Sequence, residues 1–502
     1  MAMMLPMKSI AIQYCLLPSL LLACFGAAVQ ADTLIIPQPD QVREAMREYV
    51  DESKLAPGVV VGLIDNGRRA VYSYGISGRD ELALDQDTLF EIGSISKVFT
   101  GLLLAEMALN GEVDYSDTVA ELAPDEYSFS ERVGAITLEQ LVAHTSGLPR
   151  LAMDPGPVMR GLFTDDPYAG STPEEIFQSV AFLSDDRLSA EGAFAYSNLG
   201  YGLLSQLLAG VSGQDFDTLL TERVLVPLQL DGMALGPDRA DPSLLAQGFN
   251  QGRAAAHWNL DAYLGAGGLI ASVRQLLDFI EVSLSSDQDF VAQAQRSPGQ
   301  STGERSRTLG LGYSHREIAG EQWLWHNGGT GGFRTYFGFA PARDFGIVVL
   351  TNGTGNADQL ADVLIRPEAS PLEPYESSWF GIGMALMGIV IAPLTLLTGV
   401  FAKPKAAADS QDKSTRRRPD RLDLFVLVTA AGMLLIVSRL TGDWISIPFS
   451  FWWLGLVLSI AAAVALFRTR FAERKWRTGG VLSLLGRLLI TGLYLVIIAA
   501  FA

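Results

Sequence analysis

The chain is expected to adopt an α/β (α+β) fold: an antiparallel sheet flanked by helices, with a helical subdomain inserted between its two halves, followed by a transmembrane region of about four helices. Two patterns predict this. Runs of strand type gather at both ends of residues 32–366, at 59–64 and 70–74 and again at 309–315, 322–325, 334–339 and 345–350, while helical periodicity and loops fill the interval from about residue 96 to about residue 284. Four apolar stretches then follow, near 379–401, 424–438, 449–467 and 481–501, most of them long enough to cross about 30 Å of hydrocarbon as helices. At 502 residues the chain also exceeds what one core usually supports.

Residues 1–31 read as a secretory signal peptide. Lys8 precedes an apolar run broken at Pro18, and the segment ends in the small-residue pattern Val29-Gln30-Ala31. Leu21-Leu22-Ala23-Cys24 is an alternative, an imperfect lipidation site at Cys24. Both cysteines, Cys15 and Cys24, fall in this segment, so a chain cut after Ala31 has no thiol and no disulfide. Residues 32–378 carry 49 acidic and 22 basic side chains, a balance of −27, which argues against nucleic acid or anionic headgroups as the ligand of this part.

Within residues 32–366, Asp65-Asn66-Gly67 between two apolar runs reads as a hairpin turn. A helix is expected from Ser96 through Met107, and Asp154-Pro155-Gly156-Pro157 marks a break in the helical part. Residues 367–378, rich in Pro and Glu, read as a linker into residues 379–502. There the first connection contains Lys403, Lys405, Lys413, Arg416, Arg417, Arg418 and Arg421, and the third contains Arg468, Arg470, Arg474, Lys475 and Arg477. The second connection contains the acid Asp443 and is nearly free of basic residues. By the positive-inside rule the two basic connections are cytoplasmic, which makes the protein a multi-pass cell-membrane protein with residues 32–366 on the extracytoplasmic (periplasmic) side. Arg487, in the fourth stretch, is expected to snorkel to the headgroups.

The chemistry concentrates in three polar segments. Ser94-Ile95-Ser96-Lys97 sets a hydroxyl and an amine three residues apart, on one face of a helix start. Among the 22 basic residues of 32–378 only Lys54 and Lys97 are lysines, and a lysine, unlike arginine, can lose its proton and serve as a base. Tyr196-Ser197-Asn198 precedes an apolar helix, and His326-Asn327-Gly328-Gly329 ends a strand. Together they supply a nucleophile, a proton acceptor, a phenol and an amide, an inventory suited to acyl transfer. No H-E-x-x-H pair and no phosphate loop is present, so a zinc site and a nucleotide site are not expected, and neither metal nor organic cofactor is implied.

In the order S-x-x-K, Y-x-N, H-x-G the chain resembles the serine β-lactamase and penicillin-binding protein family, in particular the class C β-lactamase-like serine hydrolases. Phe90-Glu91-Ile92-Gly93-Ser94, His144-Thr145-Ser146-Gly147-Leu148-Pro149 and Gly265-Ala266-Gly267-Gly268-Leu269 carry the same resemblance, which runs from about Val42 to Gly353. It implies Ser94 as nucleophile, Lys97 as its base or relay, and Tyr196 as proton donor to the leaving group. It also implies Asn198, His326, Gly328 and Gly329 as substrate-binding residues, with the backbone N–H groups of Ser94 and Gly329 as the oxyanion hole. The glycines at 328 and 329 are expected to let substrate lie against the strand. His144 is expected to be structural. His326 stands where β-lactamases have a lysine; a histidine of ordinary pKa is mostly neutral at pH 7, and Arg334 is a candidate for the missing charge.

These features predict a membrane-tethered serine hydrolase, D-alanyl carboxypeptidase-like or β-lactamase-like, acting through an acyl-enzyme on a peptide, amide, ester or β-lactam. The substrate would be a small peptide, amide or ester, peptidoglycan-derived compounds among them, with the lipid bilayer as the partner of the C-terminal helices. A carboxylesterase and a non-catalytic sensor of D-alanyl peptides are the alternatives.

Overall fold

The computed structural model describes residues 36–470, apart from 153–164, 191, 286, 297–300, 303–306, 367–370, 402–404, 407–415 and 418–420. The signal segment with Cys15 and Cys24, the Asp154–Pro157 break, the fourth apolar stretch with Arg487, and the basic residues beyond Arg470 lie outside the described residues.

The hairpin forms as its turn chemistry requires. Strand β1 (Gly58–Asp65) pairs with β2 (Arg68–Gly75), from Gly58 opposite Gly75 to Asp65 opposite Arg68. The two turn residues, Asn66 and Gly67, both have positive φ, 48° and 73°, the conformation that matches the twist of a two-residue hairpin. A smaller sheet contains β3 (Leu89–Glu91), β4 (Ala234–Leu235) and β5 (Leu269–Ser272), with β5 in the middle. The rest of the main sheet comes from the other end of the domain: β6 (Ser301–Thr302), β7 (Arg307–Leu309), β8 (Ser314–Ile318), β9 (Glu321–Gly329), β10 (Arg334–Ala340) and β11 (Phe345–Thr351). The eight strands lie in the order β2-β1-β11-β10-β9-β8-β7-β6, and every pair is antiparallel.

The expected strand at 309–315 is interrupted. Gly312 adopts φ 84°, and a Cβ there would lie 2.5 Å from the carbonyl oxygen of Lys97. The chain turns at this glycine because it passes directly beneath the helix that carries the lysine.

Both faces of the sheet are covered, so β1 reads as a continuous apolar run and not as an alternating one. Val59, Val61 and Leu63 pack under helices α1 (Pro39–Arg47) and α5 (Ala357–Ile365), while Val60 and Ile64 face the larger core. That core is built around α2 (Ser96–Leu109), α3 (Asn198–Ser212) and α4 (Val273–Ser285). Helix α2 is buried around nearly its whole circumference, as a central helix should be.

After residue 378 the first apolar stretch is helical, as α6 (Trp379–Leu386) and α7 (Ala392–Phe401) joined by a wide turn at Met387–Ile391. It is followed by α8 (Arg421–Thr441) and α9 (Ser450–Arg470). One segment, Trp379–Thr398, is long and apolar enough to cross a membrane; the apolar parts of the next two helices are shorter, Phe425–Arg439 and Ser450–Leu466. The expected count of four membrane helices therefore reduces, among the described residues, to one candidate span and two shorter apolar helices packed on it. Small residues set the crossings: a Cβ on Gly388 would lie 2.1 Å from Ser438 Oγ, and one on Gly455 2.7 Å from the Gly388 carbonyl oxygen.

Candidate active site

Ser94 sits in a single helical turn, Gly93–Ile95, between β3 and α2. Gly93 takes φ 54°, and a Cβ there would meet the backbone nitrogen of Gly329 at 2.6 Å, so the nucleophile segment and the end of β9 are pressed together. The i, i+3 spacing works as read: Lys97 Nζ donates to Ser94 Oγ at 3.1 Å. The amine is completely buried and also donates to Asn198 Oδ1 at 2.9 Å and to the Ala266 carbonyl oxygen at 2.5 Å. The Gly265–Leu269 segment is thereby explained. It wraps α2, with Thr100 Oγ1 donating to the Gly265 carbonyl and the Leu269 amide donating to Ser96 Oγ.

Tyr196 and Asn198 arrive from the N-terminus of α3. Ser197 caps that helix by accepting from the Gly200 amide at 2.8 Å, which leaves Tyr196 on one side of the cap and Asn198 on the other. Tyr196 Oη donates to Ser94 Oγ at 2.6 Å. His144 secures this loop: its Nδ1 accepts from the Ser197 amide at 3.1 Å, its carbonyl accepts from the Ala195 amide, and its ring lies 4.4 Å from the Tyr196 ring.

The electrostatics suit proton transfer. Burial, aided by the Arg150 charge, holds the Lys97 amine below its ordinary range against the opposing pull of Tyr196. Burial by itself would raise the Tyr196 phenol, but the Lys97 amine beside it, its hydrogen bonds with Lys97 and Ser94, and the Arg150 guanidinium together hold it below its usual value. Two groups able to exchange a proton thus flank one hydroxyl.

The third motif lies at the end of β9, against the segment that carries Ser94. His326 is buried, with Nδ1 2.6 Å from the Asn327 carbonyl oxygen, and it shares with His144, Tyr196 and Tyr313 the wall of a cavity of about 10 Å³. Gly328 is required by packing: a Cβ there would lie 1.9 Å from the Ile92 carbonyl oxygen and 2.3 Å from Thr335 Oγ1. Arg334 does not supply a charge to the site. Its Nη1 donates to the carbonyls of Thr330 and Phe333, and its titratable neighbours are Tyr49 and Asp358, on the opposite face of the sheet.

Two participants escaped the sequence reading. Arg150 is exposed at the mouth of the site, its Cζ 5.2 Å from the centre of the Tyr196 ring. Its position directly after Leu148-Pro149 is the one signal that could have found it. Tyr168 Oη accepts from Asn198 Nδ2 at 2.7 Å, and no local pattern announces it. No group of three or more His, Cys, Asp or Glu suited to a metal occurs among the described residues.

An antiparallel sheet backed by helices, with a serine, a lysine and a tyrosine in mutual hydrogen-bonding reach, has the serine-hydrolase fold. A family model described as beta-lactamase matches residues 42–369, and the chain belongs to that family. It is 27% identical over 340 residues to the D-alanyl-D-alanine-carboxypeptidase/endopeptidase AmpH of Escherichia coli (strain K12), covering 63% of this chain and 85% of that one. It is 23% identical over 356 residues to the unguisins hydrolase ungD' of Aspergillus campestris, covering 66% of this chain and 64% of that protein's length. Among solved structures, a class C beta lactamase from Rhodobacter sphaeroides superposes with a TM-score of 0.55 at 22% identity, over 64% of this chain and 97% of that one.

Proposed function

We propose that the chain is a membrane-tethered serine hydrolase that acylates Ser94 with a small peptide, amide, ester or β-lactam, in the manner of a D-alanyl carboxypeptidase or β-lactamase. One observation carries this reading: Ser94 Oγ is hydrogen-bonded at once to Lys97 Nζ and Tyr196 Oη. In the reaction Ser94 Oγ attacks the carbonyl carbon while its proton passes to the neutral Lys97 amine or to Tyr196. The backbone N–H groups of Ser94 and Gly329 hold the oxyanion, and Tyr196 hands a proton to the leaving group as the bond breaks. Asn198 fixes Lys97 and the acyl side chain. Water then repeats the sequence to release the acid. His326, Gly328 and Gly329 support this strand of the site. Residues 1–31 would be the signal peptide, 32–366 the hydrolase, 367–378 the linker and 379–502 the membrane region, with the hydrolase outside the cytoplasm.

The test is an incubation of the purified protein with penicillins and activated esters, read by intact mass and by the labelled peptide. Ser94 is expected to carry the adduct. Ser94→Ala is expected to lose the adduct and at least about 10³-fold in turnover while keeping its melting temperature; turnover undiminished in that variant would sink the proposal.

Arg150 supports a carboxylate-bearing leaving group. Several arginines of residues 36–366 are tied into ion pairs, such as Arg69 with Asp278 and Arg223 with Glu106 and Glu112, whereas Arg150 has none among the described residues. A cation on the face of the proton-donating tyrosine lies where the carboxylate of a departing amino acid would sit. For a peptide with a free C-terminus against its amide, Arg150→Ala is expected to reduce the ratio of kcat/KM values about 10-fold or more, and Arg150→Lys less. An unchanged ratio would assign the charge elsewhere.

A further inference from the structure

We infer that Tyr168 is a positioning residue for Asn198 and that the hairpin between α8 and α9 holds it in place, so that the C-terminal helices are part of the active-site architecture. The inference rests on the proposed hydrolase reading.

The geometry forms an unbroken path. Asn198 has two amide ends, and Lys97 requires the oxygen end. Tyr168 Oη takes the NH₂ end at 2.7 Å, and that contact fixes which end faces the lysine. Tyr168 is itself clamped: it is buried, with its ring 5.3 Å from Trp258 and 5.1 Å from Tyr263. Its amide donates to Asp166 Oδ1 at 2.9 Å, while Asp166 Oδ2 accepts from the Asn259 amide at 2.7 Å.

Asp165, next in the path, stands in the left-handed region at φ 60°, which aspartate tolerates better than most side chains, and its carboxylate is fixed by its partners. These are two cations. Arg253 grips the carboxylate with two nitrogens, at 2.6 and 3.2 Å, and Arg439, from the end of α8, reaches it at 2.7 Å. The Asp165 carbonyl accepts from Trp258 Nε1, which ties the loop back to the wall against Tyr168. The same hairpin leans on this corner twice more. Gly252 lies so close to Trp444 that a Cβ would come 2.4 Å from its carbonyl oxygen, and the Arg253 guanidinium lies over the Phe449 ring at 5.8 Å.

An anchor needs none of this. A single arginine at the outer end of an apolar helix would ordinarily turn to water or headgroups, yet Arg439 is spent on a nearly buried aspartate three residues from the tyrosine that orients Asn198.

The experiment uses the full chain in lipid nanodiscs and measures the rate of Ser94 acylation by an activated ester across pH, with heat unfolding as the folding control. Tyr168→Phe keeps the ring and removes the acceptor, which frees Asn198 to turn its NH₂ toward Lys97. A hydrogen bond that favours the charged amine is then lost, so acylation should slow about 10-fold and its rising limb should move to lower pH. Arg439→Gln should change rate and pH profile in the same direction by a smaller factor, and Arg439→Lys should recover part of it. Asp165→Asn serves as the second variant if Arg439→Gln unfolds. Variants that acylate like the parent at every pH, or an effect in Tyr168→Phe with none from Arg439→Gln or Asp165→Asn, would overturn the inference. Failure of the unmodified chain to label Ser94 at all would instead overturn the hydrolase reading beneath it.

Discussion

Lys97→Arg is expected to lower the acylation rate about 10³-fold while retaining the positive charge at the position, because what the site uses is the ability of the amine to be neutral. The pocket is built for that state. Lys97 is wholly buried, a neutral amine there can donate to the Asn198 amide oxygen and the Ala266 carbonyl while accepting from the Ser94 hydroxyl, and among the described residues no carboxylate stands beside it to hold a cation. Burial and Arg150 depress its pKa. The sign for catalysis follows: the competent form is the deprotonated one, so a lowered pKa brings activity in at a lower pH than an ordinary lysine, near 10.4, would allow. The acylation rate should therefore rise with pH along a limb centred below that value, and the arginine variant should show no such limb. An arginine enzyme within 10-fold of the parent would remove Lys97 from the role of base.

The second large effect is expected at Gly328. Thr335 Oγ1 donates to the Ile92 carbonyl at 2.8 Å, and Gly328 is threaded against both groups. A methyl cannot be accommodated by rotating a side chain, since the nearest atom is backbone, so Gly328→Ala must push β9 away from the segment that presents Ser94. We expect a loss of about 3 kcal/mol in urea unfolding, and a fall in acylation of about 10²-fold from displacement of the oxyanion donors. Gly329→Ala is the comparison: there the atoms nearest a Cβ belong to the flexible side chain of Arg334, at 3.1 Å. Equal behaviour of the two variants would contradict the packing explanation.

What was legible in advance was what local spacing encodes. Ser94 and Lys97 are one helical turn apart, Asn66-Gly67 dictates a hairpin, and Tyr196-Ser197-Asn198 straddles a helix cap, so the centre of the site was readable before any tertiary contact was known. What escaped was set by partners far along the chain. Gly328 answers to Ile92, more than 200 residues earlier; the turn at Gly312 answers to Lys97; Tyr168 acquires meaning only from Asn198. Arg334 looked like the available cation because it follows the third motif, but strand alternation turns it to the far face, and Arg150 arrives at the site from another loop. The apolar stretches after residue 378 were correctly read as helices through α9, and among the described residues one of them, Trp379–Thr398, is long and apolar enough to span.

The pairing of β1 with β11 sets Val59 opposite Thr351, and this has a consequence for biogenesis. Nearly three hundred residues must be made before the first strand meets its inner neighbour, and closing so long a loop is slow. Until then the apolar edge of β1 stays uncovered, paired on one side only by β2. A chain stalled or truncated before residue 345 would present that edge to any other strand, so premature termination should yield aggregates instead of a smaller folded enzyme.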